Sequence, residues 1–232
     1  MRPLDECLLG RKKSGVVTDG LVSWIDGRDD LIVVSEYNGR HCNVAKIMDR
    51  VDGEECVAKH INGNMLCGIF SKEDSFITQG AYMYSNVTIG ISKENAKTAK
   101  TIEAVISSEN ALNGLNSALK IGENMVFSGR NANTSVHFFG SNSSITYPFS
   151  PLHIVGTIEN GIGTIYVNGV KGTIGTSASA FEVQSLFRIS YDTYYLVYAV
   201  QKIGAIRLYD RGLTESEILQ NYAYEKSLGR VE

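Results

Sequence analysis

The chain has 232 residues and a formal net charge of −3, with 43% hydrophobic and 20% charged residues. That is the composition of a folded domain with enough length to bury a core without cross-links. No apolar run approaches the ~20 residues of a bilayer-crossing helix, and Arg11-Lys12-Lys13 is the longest cationic tract, so neither membrane insertion nor nucleic-acid binding is expected.

Residues 1–15 are polar and aperiodic. They read as an arm, flexible or docked on a partner, in front of one domain spanning residues 16–232. The start MRPLDECLLGRKKSG lacks the apolar core of ~7–15 residues that marks a secretory signal, so assembly in the cytoplasm is expected. From Val16 onward, short β-type runs alternate with Gly, Asn and Ser punctuation. Leu21–Ile25 reads as a strand ended by Asp26-Gly27. Leu31–Val34 reads as a second strand or a loop excursion. Residues 36–68 show no sustained period of either kind. Tyr82–Ile91 reads as a strand and Lys93–Lys100 as a polar loop.

The alternation sharpens at Thr101–Ile106, where Ile102, Ala104 and Ile106 point one way and Thr101 and Glu103 the other. Leu119–Ile121, Met125–Ser128 and Val136–Phe139 continue it, separated by turns at Gly129–Ser135 and Ser141–Ser144. Leu152–Ile158 leads into the turn Glu159-Asn160-Gly161. Thr164–Val167 leads into Asn168-Gly169, a strong short hairpin signal because both central turn residues need positive φ. Phe187–Tyr191, Tyr195–Val200 and Ile203–Tyr209 complete the strands.

One helix is expected, at the end of the chain. Thr214-Glu215-Ser216-Glu217 has the form of a capping box, with Leu213 and Ile218 placed as a hydrophobic staple. Ile218, Leu219, Tyr222 and Ala223 form an apolar stripe at helical spacing, and Gly229 supplies the stop. Many short strands plus one terminal helix predict an all-β fold: a two-sheet antiparallel jelly-roll sandwich with one short C-terminal α-helix. The four cysteines, Cys7, Cys42, Cys56 and Cys67, are irregularly spaced and are expected as free thiols. His41 and His60 lie nearby, but no Cys-x₂₋₄-Cys pair of a structural zinc site is present.

At several points the residues match a family. Asp19–Gly27 (DGLVSWIDG), Thr101–Val105 (TIEAV), the segment from Leu152–Val155 through Ile165–Gly169, and above all Ile203–Ile218 (IGAIRLYDRGLTESEI) followed by Asn221-Tyr222 carry the match. They resemble the laminin-G-like, concanavalin A-like jelly-roll proteins, in particular structural proteins of phages and prophages of Gram-positive bacteria. The resemblance spans about residues 16–228. It implies a non-enzymatic virion component, such as a decoration or fibre-associated protein, assembled in the host cytoplasm. Its partners would be other virion proteins through residues 1–15, host surface glycans, and further copies of itself in a homo-oligomer.

Catalytic signatures are sparse. Jelly-roll glycosidases use two carboxylates ~5–9 Å apart, and the strand pattern Glu-x-Asp-x-(x)-Glu is absent. The Glu215/Glu217 pair belongs to the helix cap, and Glu54-Glu55 to a polar turn. Glu103 reads as a solvated or salt-bridged strand residue, with a functional acid as the alternative. His137 and His153, both in strands, read as structural. No nucleophile elbow, zinc-protease motif or P-loop occurs. The expectation is therefore a protein that is not an enzyme; the alternative is a divergent glycoside hydrolase or lyase acting on cell-wall polysaccharide. Glycan recognition needs flat aromatic faces beside amide or carboxylate groups. Tyr191, Asp192, Tyr194 and Tyr195 form one such group, and Tyr82, Tyr84 and Asn86 another; packing in the core or at a sheet edge is the competing reading of both. Asp26, Asp29 and Asp30 are the densest acid cluster. They read as a solvated turn or as Ca²⁺ ligands, a use known among laminin-G-like domains; no other cofactor is expected.

Overall fold

The computed structural model describes residues 15–26, 32–37, 42–53, 55–60, 69–71, 76–78, 89–92, 97–108, 117–121, 124–130, 135–138, 143–146, 152–176, 181–183, 187–189 and 201–232. In chain order the strands are β1 (Leu21–Asp26), β2 (Ile32–Tyr37), β3 (Cys42–Met48), β4 (Glu55–His60), β5 (Ile69–Ser71), β6 (Phe76–Thr78), β7 (Ile89–Ser92) and β8 (Lys97–Ala99). They continue with β9 (Thr101–Ser108), β10 (Ser117–Ile121), β11 (Asn124–Arg130), β12 (Ser135–Phe138), β13 (Ser143–Thr146), β14 (Leu152–Glu159) and β15 (Ile162–Val167). The last are β16 (Val170–Thr176), β17 (Phe181–Val183), β18 (Phe187–Ile189) and β19 (Gln201–Tyr209), followed by helix α1 (Glu215–Ser227).

An eight-stranded sheet runs β16-β15-β14-β9-β19-β6-β5, with β1 also paired to β19. A nine-stranded sheet runs β13-β12-β11-β10-β18-β7-β4-β3-β2. The two sheets meet where β12 and β13 contact β15 and β16, and again where β3 contacts β5. The result is the expected all-β sandwich with one C-terminal helix. No helix among the described residues is long and apolar enough to cross a membrane.

The alternation of side chains assigns each face of the eight-stranded sheet its own partner. Ile25, Ile102, Ala104, Ile106, Ile154, Ile158, Ile165, Val167, Ile206 and Leu208 are buried and share one face by register. Trp24, Glu103, His153, Val155, Tyr166, Arg207 and Tyr209 fall on the other face, also buried. There α1 lies over the sheet: Ile218 joins Val17, Val155, Tyr166, Tyr209 and Leu213 in one apolar cluster. Val231, in the tail after the helix, packs on Val105 and Ala205.

The hairpin reading holds. Asn168 has φ 48° and Gly169 φ 77°, and Asn160 and Gly161 repeat this at φ 50° and 75°. The capping box is formed at Thr214 and Glu217, and the staple residues Leu213 and Ile218 share a cluster. Three readings change. The aperiodic stretch 36–68 contains β3 and β4; Asn43 and Lys46 in one, and Lys59 beside Val57 in the other, leave no clean alternation to detect. The loop at Lys93–Lys100 contains β8, paired with β17. The helix is rotated about its axis: Ile218, Asn221 and Glu225 are the buried residues, while Leu219 is 43% exposed and Ala223 faces solvent. Tyr195–Val200 and residues 82–88 of the expected Tyr82–Ile91 strand lie outside the described residues.

Candidate functional site

The rotation of α1 follows from what lies beneath it. Strand β9 places Glu103 opposite Arg207 of β19 and opposite Val155 of β14. Glu103, Arg207, His153, Asn221 and Glu225 are all fully buried, so each charge needs a partner. One Glu103 carboxylate oxygen accepts from Arg207 Nη1 and pairs with His153 Nε2 at 2.9 Å. The other accepts from Asn221 Nδ2 at 2.6 Å and from the Tyr209 hydroxyl at 3.4 Å. Arg207 Nη2 donates to Glu225. The second Glu225 oxygen accepts from Arg230 Nη1 at 3.2 Å. Arg230 Nη2 then donates to Asp26 at 2.7 Å, and Arg50 approaches the other Asp26 oxygen at 3.7 Å.

The result is a ladder of alternating sign, Glu103–Arg207–Glu225–Arg230–Asp26–Arg50, running from the middle of the sheet through the helix and tail to the segment after β3. Two of its cations stand over the Trp24 ring: Arg207 is 4.8 Å and Arg50 4.9 Å from the ring centroid, distances at which a guanidinium is attracted to the indole face. Tyr224 meets the Trp24 ring edge-on at 6.5 Å.

Burial pushes the Glu103 carboxyl up, but the Arg207 guanidinium, with the His153 ring and the Asn221 amide, outweighs it and holds the group at about 2. Burial pulls Arg207 down, and the Glu103 and Glu225 charges raise it above its ordinary value. Burial, reinforced by the Glu103 charge, raises Tyr209, which keeps its phenol protonated as a donor. At the helix start, Arg211 grips Glu217 with two hydrogen bonds of 2.6 and 3.0 Å. These, with the Thr214 backbone and hydroxyl, hold Glu217 at about 2 against the opposing effect of burial. Thr101 and Thr157, cross-strand partners with hydroxyls 2.9 Å apart, receive the Leu213 N–H and so fix the entry to α1.

Of the sequence-based candidates, the structure places one acid. Asp26 is fully buried and faces the Arg230 and Arg50 guanidinium groups, partners that already supply the positive charge a cation would bring. Asp29 and Asp30 lie outside the described residues, as do Tyr82, Tyr84, Asn86, Tyr191, Asp192, Tyr194 and Tyr195. Among the described residues, no group of three or more His, Cys, Asp or Glu side chains is arranged to hold a metal ion. Glu103, read from sequence as a solvated or salt-bridged strand residue, is salt-bridged and fully buried. Sequence reasoning missed Arg207, Asn221, Glu225 and Arg230. The signal was present: an arginine inside the apolar run Ile203–Tyr209 requires a buried acid, and Asn221 and Glu225 follow Ile218 at helical spacing.

No family model and no curated protein matches the chain. Solved structures do. Trypanosoma rangeli sialidase in complex with the inhibitor DANA matches with a TM-score of 0.60 at 15% identity, over 92% of this chain and 34% of that one. A mutant of that sialidase displaying trans-sialidase activity matches with a TM-score of 0.54 at 14% identity, over 96% and 36%. The protein HCR/D-Sa-GBL1/C matches with a TM-score of 0.59 at 12% identity, over 86% and 52%. The chain therefore spans about a third of the sialidase's length and about half that of HCR/D-Sa-GBL1/C. At these identities the likeness is one of fold: a β-sandwich shared with part of each larger chain. It corrects one expectation. The sparse catalytic motifs led to a protein that is not an enzyme, but solved structures sharing the fold are sialidases, so the missing motifs do not set this chain apart from enzymes.

Proposed function

We propose that this chain is a carbohydrate-recognising sandwich module, carried as a structural or fibre-associated component of a phage-type particle, that presents its surface to host glycans. The observation that carries this reading is the closure of one sheet face by α1 over a ladder of paired, buried charges. That face is committed to rigidity, so recognition is assigned to other parts of the chain. The tyrosine-rich group Tyr191, Asp192, Tyr194 and Tyr195, and the group Tyr82, Tyr84 and Asn86, supply the aromatic and planar polar groups that sugar rings need. The sequence resemblance to phage structural proteins supports the particle assignment. Residues 1–15 would be the contact to neighbouring virion proteins, and a homo-oligomer would raise the avidity of weak glycan sites.

A second reading, a chain acting on glycosides, is favoured by the fold shared with sialidases. One experiment separates the two. The full chain and its Tyr194→Ala and Tyr82→Ala variants are applied to an array of bacterial wall and sialylated glycans, scored for retained protein and for released sugar. Retention without release, weakened about tenfold or more by either substitution, supports recognition. Release of sugar supports the second reading, and neither retention nor release overturns both.

A further inference from the structure

We infer that residues 15–17 are a latch that holds α1 against the sheet, so that events acting on the chain ahead of Gly15 reach the helix. This inference is independent of which ligand the sandwich binds. Gln220 Nε2 donates to the Gly15 carbonyl at 2.8 Å. The Val17 N–H donates to Asn221 Oδ1 at 2.8 Å, a buried contact. The Val17 side chain is packed among Leu213, Ile218, Tyr209 and Tyr166. Asn221 is the hinge of the arrangement: its Oδ1 faces the latch, while its Nδ2 donates to Glu103 at 2.6 Å and to the Tyr209 hydroxyl at 2.9 Å. One amide thus joins the N-terminal segment, the helix and the centre of the sheet, and the orientation of its oxygen and nitrogen is fixed by those partners.

Removing the Val17 N–H leaves Asn221 Oδ1 as a buried acceptor without a donor. That penalty shifts a local opening equilibrium by about tenfold. The helix responds first, because the strands beneath it keep their own ladder on both sides: β9 pairs with β14 and with β19. Opening withdraws Glu225 and the following Arg230 from Arg207 and Asp26, and uncovers the face that carries Trp24, Glu103 and Tyr209. A partner that draws residues 15–17 away from α1 would therefore loosen the helix, and one that holds those residues in place would tighten it.

The test is hydrogen exchange by mass spectrometry on the full chain and two variants. Val17→Pro removes the N–H, and Val17→Ala keeps it but trims the apolar contact. The expected result for Val17→Pro is exchange about tenfold faster in peptides of α1, with peptides of β9 and β14 unchanged. Val17→Ala is expected to act in the same direction by a smaller factor, and it decides the matter alone if Val17→Pro does not fold. Unchanged helix exchange overturns the inference, and so does equal acceleration of helix and strands.

Discussion

Replacing Glu103 by Gln tests the physics of the charge ladder most sharply. Glu103 receives four donors, from Arg207, His153, Asn221 and Tyr209, and a carboxylate is acceptor-only. An amide of the same shape has one oxygen and one NH₂ group, so in either orientation two of those donors face an N–H. The charge also goes, leaving Arg207 with Glu225 alone. The carboxyl falls from its ordinary 4.5 to about 2 in the folded chain; at about 1.4 kcal/mol per pH unit this is about 3 kcal/mol of stability at neutral pH. Breaking a buried ion pair by removing one partner costs a similar ~3–5 kcal/mol, a large share of the ~5–15 kcal/mol that holds a typical domain together.

The assay is urea unfolding followed by the fluorescence of Trp24, the single tryptophan, which stands 4.8 Å from the Arg207 guanidinium. Because the folded-state pKa is depressed, the contribution is complete above 4.5 and is lost as pH falls from there through about 2. The gap between the parent and Glu103→Gln should therefore be about 3 kcal/mol at neutral pH and narrow across that acid window. A gap below about 0.5 kcal/mol at neutral pH, or one that stays constant into acid, would refute the reasoning.

Other expectations concern the elements that hold the helix. Thr214→Ala removes the cap hydroxyl that accepts from the Glu217 N–H and should cost about 1 kcal/mol in thermal or urea unfolding. Gly169→Ala forces an L side chain to φ 77° and places its Cβ 2.9 Å from Leu219 Cδ2, so a loss of about 1–2 kcal/mol is expected by the same assay. Arg230→Ala removes the link between Glu225 and Asp26. It should destabilise the chain by about 3 kcal/mol while leaving the sheet's far-ultraviolet circular dichroism intact below the transition.

Where local chemistry decides structure, the residues announced it. Asn168-Gly169 requires a turn with both φ values positive, and Thr214 to Glu217 requires a helix start; both are found. The alternation in Thr101–Ile106 separated the faces of β9 correctly. The rotation of α1 was not legible from its own residues, because the helix answers to partners more than a hundred positions away: Asn221 to Glu103 and to Val17. A stripe judged by apolarity selects Leu219 and Ala223, whereas the sheet beneath offers buried charge and draws in Asn221 and Glu225. Likewise Asp26 looked like part of an acidic loop, since the guanidinium it meets, Arg230, enters from the last residues of the chain. Long-range ion pairs leave no periodic trace. Their one signal here is a charged residue in a run otherwise fit for a core, as with Arg207 between Ile206 and Leu208.

The central claim is that α1 is held to the sheet by paired charge, and a double-mutant cycle between Arg207 on β19 and Glu225 on α1 measures it directly. The stabilities of the parent, Arg207→Met, Glu225→Gln and the double variant are determined by urea unfolding. Paired as the structure has them, the two residues should show a coupling energy of about 2 kcal/mol, the double variant being that much less damaged than the sum of the singles. Losses that add to within about 0.5 kcal/mol would contradict the account.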